Sequence, residues 1–378
     1  MRFAQMFRFH WPRRLLRSSL LALLLVSLFL GLSGAWWNLD SDAQPARKSS
    51  LAQGDAITDP TALLRYALPI DNSSVRQLQA DIEGTSKYLR GKRWAPIQAN
   101  LRDARFVLTI QRDNLLSSLR PDQQDNGAML VETLTQTLKE MEAGVEAKDK
   151  EQVWTKRREL LDQLTVLETA MVQGYPFEVP QEYANLPQLK GRATVVLKTT
   201  QGDITVVADG YSAPINAGNF VDLVQRGFYD GLPFIRSDEF VVQSGNPPGP
   251  DEGFIDPKTG KYRSIPLEVL IKGEPLPLYG ETLEEQGIYL ADLALPFNAY
   301  GAIALARPSE DPNGGSSQFF FFKFDTELTP PGFNLMDGRY SVFGYTVSGQ
   351  GVIGNLTEDD KIIEARVTAG LENLVEPS

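Results

Sequence analysis

Apolar residues are spaced differently in three successive stretches of the chain. A short, uninterrupted apolar run extends from Leu20 to Leu32. Between about residues 58 and 173, apolar residues recur every three or four positions, the spacing of helices that bury one face. After Gly191 the period changes and β-branched residues become frequent, which favours short strands. The pattern therefore predicts a leader, a helical domain and a strand-rich domain.

Four apolar stripes predict four long helices in the domain at residues 58–173. Their apolar positions fall within residues 75–89, 94–119, 130–145 and 153–171. Asp71-Asn72-Ser73 offers caps before the first stripe, and Asp149 with Gln152 has the pattern of a capping box before the fourth. Long helices joined by short connections imply an antiparallel four-helix bundle. Because these residues include no histidine, we expect the stripes to form a core rather than a di-iron site.

The first 35 residues have the features of an export signal. Five arginines precede the apolar run, and Ser33-Gly34-Ala35 offers a small-x-Ala cleavage site. The adjacent Arg13-Arg14 leaves two routes open, the general export route and the twin-arginine route. An uncleaved membrane anchor is a third alternative, although the apolar run is short for a membrane span. Residues 36–57 are polar and irregular, and we predict a flexible lead-in there.

A proline-rich segment, residues 174–190, separates the two predicted domains. We expect it to be either a semi-rigid linker or an ordered strap across the second domain. Within residues 191–378, a helix is predicted at 217–226 and strands at 193–200, 204–207, 232–243, 301–306, 317–324, 340–347 and 361–369. Many short strands and turns favour a closed β-barrel, because closure removes exposed strand edges.

The composition excludes several kinds of catalytic chemistry. The chain has no cysteine, and its only histidine is His10, in the leader. Ser-His-Asp and Cys-His catalysis, disulfides and most zinc or copper sites are therefore excluded from the rest of the chain. We expect neither a cofactor nor a metal. Five of the 37 Lys+Arg but none of the 48 Asp+Glu lie in the leader, so its removal changes the net charge from −11 to −16. Such acidity disfavours nucleic-acid binding.

Three separate segments combine an arginine, amide side chains and aromatic residues. They read Phe234-Ile-Arg-Ser-Asp-Glu-Phe-Val-Val-Gln243, Gly314-Gly-Ser-Ser-Gln-Phe-Phe-Phe321 and Leu335-Met-Asp-Gly-Arg-Tyr-Ser-Val-Phe-Gly344. Together, and in this order, they resemble segments of the cyclophilins, which are peptidyl-prolyl isomerases. The resemblance covers about residues 190–370. It implies a closed eight-stranded antiparallel β-barrel with two capping helices, the second of which would include Glu281–Gly287.

The resemblance also implies roles for eight residues. Arg236 would stabilise the twisted X-Pro amide, whose barrier to rotation is ~18–20 kcal/mol, and Gln243 would position the guanidinium and a substrate carbonyl. The implied substrate-binding positions are Phe240, Gln318, Phe320, Leu335, Tyr340 and Ala306. Such catalysis is differential binding of the twisted state, and it requires neither imidazole nor thiol. The alternative for Arg236 is a surface ion pair with Asp238 or Glu239.

Five departures from the family pattern lie near the implied site. Arg236 and Phe240 are four residues apart, where the family usually has five. Four family residues are also replaced. Ile235 stands in place of the histidine before the arginine, and Leu335 in place of the pocket tryptophan. Tyr340 stands in place of the pocket histidine, and Arg307 in place of the asparagine of the Met-Ala-Asn-Ala segment. A displacement of one ångström can cost substantial rate, so weak turnover is one expectation.

The chain also has an insertion of about twenty residues between Gln243 and Tyr279, relative to the common cyclophilin pattern. Residues 254–262 and 266–271 could form a hairpin. Because the insertion follows Gln243 directly, we expect it to shape or cover the pocket.

The order of export signal, helical bundle, proline-rich linker and divergent barrel gives a narrower resemblance. It resembles the two-domain thylakoid-lumen cyclophilins of plants and cyanobacteria, with a bundle of the PsbQ type. This implies a lumenal or periplasmic protein that supports photosystem II assembly, with proline-containing lumenal loops as partners. Membrane contact would occur only through such clients or an uncleaved signal. Three functions stay open: an active isomerase, a chaperone that holds loops without fast turnover, and a regulator whose bundle folds over its own pocket.

Overall fold

The computed structural model describes residues 57–325 and 334–376. The predicted leader and nearly all of the predicted lead-in lie outside these residues. A helical region precedes a sheet region, in the predicted order. Within the described ranges, no helix combines the length and the apolar character that crossing a membrane requires.

The described part of the helical region contains six helices, where the sequence predicts four. They are α1 (Pro60–Ala67), α2 (Ser73–Arg90), α3 (Trp94–Ile110), α4 (Arg112–Ser117), α5 (Gln124–Glu146) and α6 (Lys150–Met171). The four-helix prediction missed α1, because eight residues are too few to show a repeating stripe. It also merged α3 with α4, because Leu115 and Leu119 continue the helical spacing across a break at Gln111.

Residues of the predicted stripes form the core of the helical region. Leu78 of α2, Leu101 of α3, Leu134 of α5 and Leu164 of α6 are buried in one apolar cluster. Fully burying a leucine stabilises a fold by about 1.5–3 kcal/mol, so this shared core holds the four long helices together.

Two helices begin at the predicted caps. Asn72 Oδ1 accepts the Val75 N–H at 3.0 Å before α2, and Asp149 Oδ1 accepts the Gln152 N–H at 3.0 Å before α6. The Gln152 side chain does not complete the capping box. Its Nε2 donates to the carbonyl oxygen of Glu140 at 3.3 Å instead, which ties α6 to α5.

Eight antiparallel strands form the main sheet of the second region. In sheet order they are β13 (Ile362–Ala369), β2 (Arg192–Thr199), β3 (Gly202–Asp209), β12 (Val342–Ser348), β10 (Ala302–Leu305), β11 (Phe319–Phe322), β5 (Val241–Ser244) and β4 (Phe234–Ser237). The outermost strands, β13 and β4, are linked at one end by a bridge between Pro233 and Lys361. Because β4 has four residues and β13 has eight, most of the β13 edge extends beyond β4. The sheet is therefore a curled, open half-barrel, and not the closed barrel that the sequence predicts.

Among the described residues, two further helices accompany the sheet, and the sequence predicts one of them. Helix α7 (Pro214–Gln225) lies where a helix is expected, and helix α8 (Gln350–Asn355) is an addition. The prediction of a helix that includes Glu281–Gly287 is wrong. That segment forms consecutive turns, in which the Ile288 N–H bonds to the Leu283 carbonyl at 2.8 Å. Gly287, at φ +67°, has the left-handed conformation that ends a helical turn.

Three two-stranded sheets complete the described part of the fold. They are β1 (Gln188–Leu189) with β14 (Leu374–Val375), β6 (Ile255–Asp256) with β7 (Lys261–Tyr262), and β8 (Glu268–Val269) with β9 (Leu278–Tyr279). The insertion after Gln243 therefore forms two separate pairs instead of a single hairpin. In the segment before β1, the Tyr175 hydroxyl donates to the Gly210 carbonyl at 3.0 Å. This contact agrees with the expectation of an ordered strap.

Helix α1 connects the helical region with the sheet region. Its Leu63 and Leu64 are buried in the same apolar cluster as the sheet side chains. The Leu64 carbonyl accepts a hydrogen bond from Arg192 of β2, whose guanidinium also pairs with the buried Asp209. On the side of the helical region, Arg65 Nε pairs with Glu83 of α2 at 2.9 Å.

Glu168 of α6 has a buried carboxyl group near these charges. Its side chain is inaccessible to solvent, and neither of its oxygens has a hydrogen-bond partner among the described residues. Arg76 Nη1 lies 3.8 Å away. Burial raises the pKa of Glu168 to about 8, against the opposing positive charges of Arg76, Arg65 and Arg192 and with a further rise from Glu83. In the folded protein this carboxyl group therefore keeps its proton at neutral pH.

The substitution Glu168→Gln should remove a pH dependence of stability. In the unfolded chain this carboxyl titrates near 4.5, so the folded state loses stability as pH rises from about 4.5 to about 8. One pKa unit corresponds to about 1.4 kcal/mol. The free energy of unfolding of the variant, relative to that of the wild type, should therefore rise by at least about 1 kcal/mol from pH 5 to pH 8. Thermal unfolding at both pH values measures it. Glu132→Gln, at an exposed position of α5, is the control. An equal difference in Tm at both pH values would contradict the assignment.

Candidate functional site

Strand pairing places three of the candidate side chains side by side. Arg236 of β4 lies opposite Gln243 of β5, and Gln243 lies opposite Phe320 of β11. Phe320 in turn lies opposite Ala304 of β10, two residues before Ala306. Because directly opposed residues share a face of a sheet, Arg236, Gln243 and Phe320 point the same way.

These side chains line a pocket of about 380 Å³. Its lining consists of Arg236, Val241, Gln243, Glu252, Tyr262, Ala306, Arg307, Pro308, Gly314, Ser316, Gln318, Phe320, Met336 and Tyr340. Six of the eight residues implied by the resemblance lie there, and Phe240 and Leu335 do not. Within the part of the chain that the structure describes, the whole lining comes from residues 236–340. The alternative in which the helical region folds over this pocket is therefore not supported by these residues.

Two glutamines are fixed to each other at the pocket. Gln243 Nε2 donates to Gln318 Oε1 at 2.7 Å. Gln318 Nε2 in turn donates to the carbonyl oxygen of Glu252 at 2.8 Å and to Asn246 Oδ1 at 3.0 Å. This chain of bonds holds both amides in place, and it leaves the Gln243 carbonyl group available to a ligand N–H.

Arg236 is both a pocket residue and a member of a surface ion pair. Its side chain is 57% exposed, and its Nε and Nη2 both lie 2.6 Å from Asp238 Oδ2. The alternative proposed for Arg236 from the sequence, an ion pair with Asp238, is therefore present together with the pocket position. Because Asp238 occupies Nε and Nη2, the Nη1 donors are left for a ligand.

Asp238 also explains why Phe240 lies outside the pocket. Its Oδ1 accepts the N–H groups of Phe240 and Val241 at 2.8 and 2.9 Å. Burial alone would raise the pKa of Asp238, but the bonds from Val241, Phe240 and Arg236 outweigh it and hold this pKa below its ordinary value. The resulting turn splits the predicted strand 232–243 into β4 and β5. Val241 and Gln243, two residues apart, then share the pocket face, and Phe240 is 51% exposed.

Leu335 also lies outside the pocket, and its neighbour Met336 lies inside. Leu335 is 73% exposed and lines a separate cavity of about 320 Å³ together with Leu283 and Tyr289. The motif position points to Leu335, but the turn at Asn334–Asp337 directs the next residue inward. Two adjacent apolar residues cannot be told apart by sequence pattern alone.

Aromatic rings form the apolar wall of the pocket. Phe320 is 4% exposed, and its ring stacks on Phe297 with centroids 6.0 Å apart. The Tyr340 ring meets Phe320 edge-on at 5.5 Å. Arg307, which replaces the family's asparagine, lies with its guanidinium 5.1 Å from the Tyr340 centroid and donates to the Arg339 carbonyl. The wall is thus rigid, and it carries a second cation at its rim.

The insertion contributes a pocket residue that the motifs do not identify. Tyr262 of β7 lines the pocket, and its hydroxyl donates to the Gly314 carbonyl at 3.0 Å. The hairpin that carries it closes at Gly260, whose φ of +66° suits glycine and whose N–H bonds to the Asp256 carbonyl at 2.7 Å. The extra length of the chain after Gln243 is the signal that pointed to this wall, and its expected place at the pocket is confirmed.

The arrangement can stabilise a polar transition state without transferring a proton. A permanently charged guanidinium and two fixed amides lie beside an apolar wall formed by Val241, Phe320 and Met336. Preorganised donors of this kind act on charge or lone pairs that develop during reaction, and more strongly where water is excluded.

Two family models match the chain. Residues 59–172 match the model described as "Peptidyl-prolyl cis-trans isomerase CYP38-like, PsbQ-like domain". Residues 194–369 match the model described as "Cyclophilin type peptidyl-prolyl cis-trans isomerase/CLD". The matched ranges correspond to the helical region and the sheet region.

Individual proteins are similar over most of their length. A Synechocystis protein named as a thylakoid lumen peptidyl-prolyl cis-trans isomerase is 58% identical over 364 residues, 96% of each chain. The chloroplastic peptidyl-prolyl cis-trans isomerase CYP38 of Arabidopsis thaliana is 43% identical over 341 residues, 87% of this chain and 78% of that protein. A solved cyclophilin-type isomerase of Cryptosporidium parvum matches 47% of this chain and 98% of its own chain at 19% identity, with a TM-score of 0.33.

Replacing Met336 should weaken binding of a proline-containing peptide, and replacing Leu335 should not. Met336→Ala removes on the order of 40 Å² of apolar contact, worth about 1 kcal/mol, or roughly fivefold in Kd. Leu335→Ala is the matched control, and it should change Kd less than about twofold. Fluorescence anisotropy with a labelled Ala-Ala-Pro-Phe peptide measures both. A larger loss for Leu335→Ala than for Met336→Ala would show that the pocket wall is assigned wrongly.

Proposed function

Because the chain belongs to the two-domain thylakoid-lumen cyclophilins, a family of peptidyl-prolyl cis-trans isomerases, we propose that its 380 Å³ pocket rotates X-Pro bonds of client polypeptides. The observation that carries the proposal is the common row of Arg236, Gln243 and Phe320 across three paired strands. The row places a cation, an amide and an apolar wall around one space.

The proposed mechanism stabilises the twisted amide. Rotation about the X-Pro bond breaks conjugation, at a barrier of ~18–20 kcal/mol, and localises a lone pair on the prolyl nitrogen. The proline ring rests on Phe320 and Met336, and a free N–H of Arg236 donates to that nitrogen. The Gln243 amide holds the substrate backbone. Only the twisted state accepts the Arg236 bond fully, so the interaction lowers the barrier rather than tightening ground-state binding.

The ion pair between Arg236 and Asp238 positions the guanidinium in this mechanism. The side chain is more than half exposed, so a free arginine there would sample many rotamers. Asp238 is itself held by two backbone N–H groups, so it restrains Arg236 from one side. Holding the donor before the substrate arrives reduces the reorganisation that catalysis requires.

Arg236→Ala should lower kcat/KM for a proline tetrapeptide about 10²-fold, with little change in KM, because a fixed donor contributes mainly in the transition state. The assay compares residues 36–378 with and without the substitution. Arg366→Ala is the matched control, since Arg366 is 53% exposed and also ion-paired, but it does not line the pocket. Equal activity of wild type and Arg236→Ala would overturn the proposed role.

A second function, holding proline-containing loops without fast turnover, is favoured by two observations. Arg236 already shares its charge with Asp238, and the connection to Phe240 is one residue shorter than the family usually has. Peptide affinity separates the two functions. A chain that binds the tetrapeptide, with or without Arg236→Ala, but never exceeds the uncatalysed rate would be a holding protein.

The cellular role that we propose is assistance to photosystem II assembly in the thylakoid lumen. It is supported by the names of the similar Synechocystis and Arabidopsis proteins and by the PsbQ-like family model. The partners would be proline-containing lumenal loops of photosystem II subunits. An array of lumenal and stromal loop peptides from those subunits tests this role. Equal binding to both sets would contradict it.

A further inference from the structure

A second, larger groove lies beside the pocket. It has a volume of about 720 Å³, and Tyr262 lines both the groove and the pocket. Of the two adjacent residues Asn313 and Gly314, Asn313 lines the groove and Gly314 lines the pocket. The two spaces therefore adjoin along Tyr262 and the turn at 313–314.

The wall that carries Tyr262 is firmly anchored. The next residue, Arg263, pairs with the buried Asp222 of α7 at 2.5 Å, and its guanidinium lies 4.4 Å from the Phe254 ring centroid. The Arg263 N–H also bonds to the Phe254 carbonyl at 2.9 Å, at the base of the hairpin. These contacts hold the base of the β6–β7 hairpin in place between the pocket and the groove. The groove is therefore a permanent feature of the surface.

A second part of the groove's lining comes from the strap between the helical and sheet regions. Glu182, Tyr183 and Asn185 line the groove, and the Tyr183 ring packs against Tyr279 with centroids 5.4 Å apart. Asn185 is exposed. The groove therefore needs both the insertion and the strap, two features outside the three motifs that define the pocket.

The groove has the chemistry of a site for polypeptide. Among the described residues, Lys258 and Lys261 have no ion pair, and the carboxylate of Glu182 also faces the groove without one. Charges of both signs are present, which disfavours a purely anionic ligand such as a phosphate. Side chains that donate and accept hydrogen bonds along an extended cleft suit the alternating N–H and C=O groups of an extended chain.

We propose that this groove continues the substrate site, and takes the residues that lie several positions to one side of the proline. The inference rests on the proposed function, because the proline must occupy the pocket for the chain to continue past Tyr262. It identifies the substrate class as long, extended segments of polypeptide, and it makes Asn185 and the hairpin tip determinants of specificity.

Peptides of different length test the proposal. The probes are labelled Ala-Ala-Pro-Phe and two longer forms, which add Ser-Asn-Ala-Lys-Ser-Glu-Ala-Gly before or after the tetrapeptide. One of the longer forms should bind the wild type about tenfold more tightly than the tetrapeptide. Two variants, Asn185→Trp in the strap and Thr259→Trp in the hairpin, fill the groove, and each should abolish that gain while leaving tetrapeptide affinity unchanged. Asn355→Trp, at an exposed position away from the groove, is the matched control and should retain the gain.

The outcomes separate this proposal from the function on which it rests. If the tetrapeptide binds and isomerises but neither longer form gains affinity, the groove proposal fails and the pocket assignment stands. A gain that survives in both tryptophan variants, with folding verified by circular dichroism, also overturns it. If no probe binds, both proposals fail. A gain that is lost in both groove variants and kept in Asn355→Trp establishes the groove, even where turnover is absent.

Discussion

The register of four neighbouring strands is the constraint on which the pocket depends. Antiparallel pairing sets Arg236, Gln243, Phe320 and Ala304 in one row across β4, β5, β11 and β10. A slip of one residue would turn every side chain of a strand to the other face, so the pocket would lose several of its groups at once. The opposite face of β11 resists such a slip, because Phe319 is fully buried against Phe220 and Tyr229.

One carboxylate adapts this register to a shorter connection. Asp238 binds the Arg236 guanidinium with one oxygen and two backbone N–H groups with the other. The turn that results leaves Arg236 at the pocket but moves Phe240 into solvent, and Val241 takes the wall position. An aromatic contact is thereby exchanged for a smaller aliphatic one. The pocket keeps its polar row while part of its apolar wall is thinner than the family pattern implies.

Sequence periodicity predicted the elements whose stability comes from their own burial pattern. The long helices of the helical region and most strands of the main sheet lie where apolar spacing places them. Helix α1 was missed because its leucines pack against residues that are distant in the sequence. Leu63 and Leu64 are buried in the core of the sheet region, and no local apolar spacing predicts that contact. Sheet closure was also predicted wrongly, since it depends on the lengths of the two outermost strands rather than on any one segment.

The site was predictable where a motif residue occupies a paired strand. Arg236, Gln243 and Phe320 lie in strands whose alternation fixes their direction, so a resemblance could place them. Leu335 lies in a turn, where a change of one residue redirects a side chain, and the motif could not decide between it and Met336. The groove that the insertion shares with the strap required the structure, because nothing in the sequence brings residues 254–262 and residues 181–185 together.

The row of polar groups should act as one unit, and a double-mutant cycle across Arg236 and Gln243 measures that coupling. The measurement is kcat/KM for a proline tetrapeptide with wild type, Arg236→Ala, Gln243→Ala and the double variant. If Gln243 acts by positioning substrate for the Arg236 donor, its loss should cost little once Arg236 is gone, with a coupling of at least about 1 kcal/mol. Losses that simply multiply in the double variant would show that the two side chains act independently, and would contradict the claim.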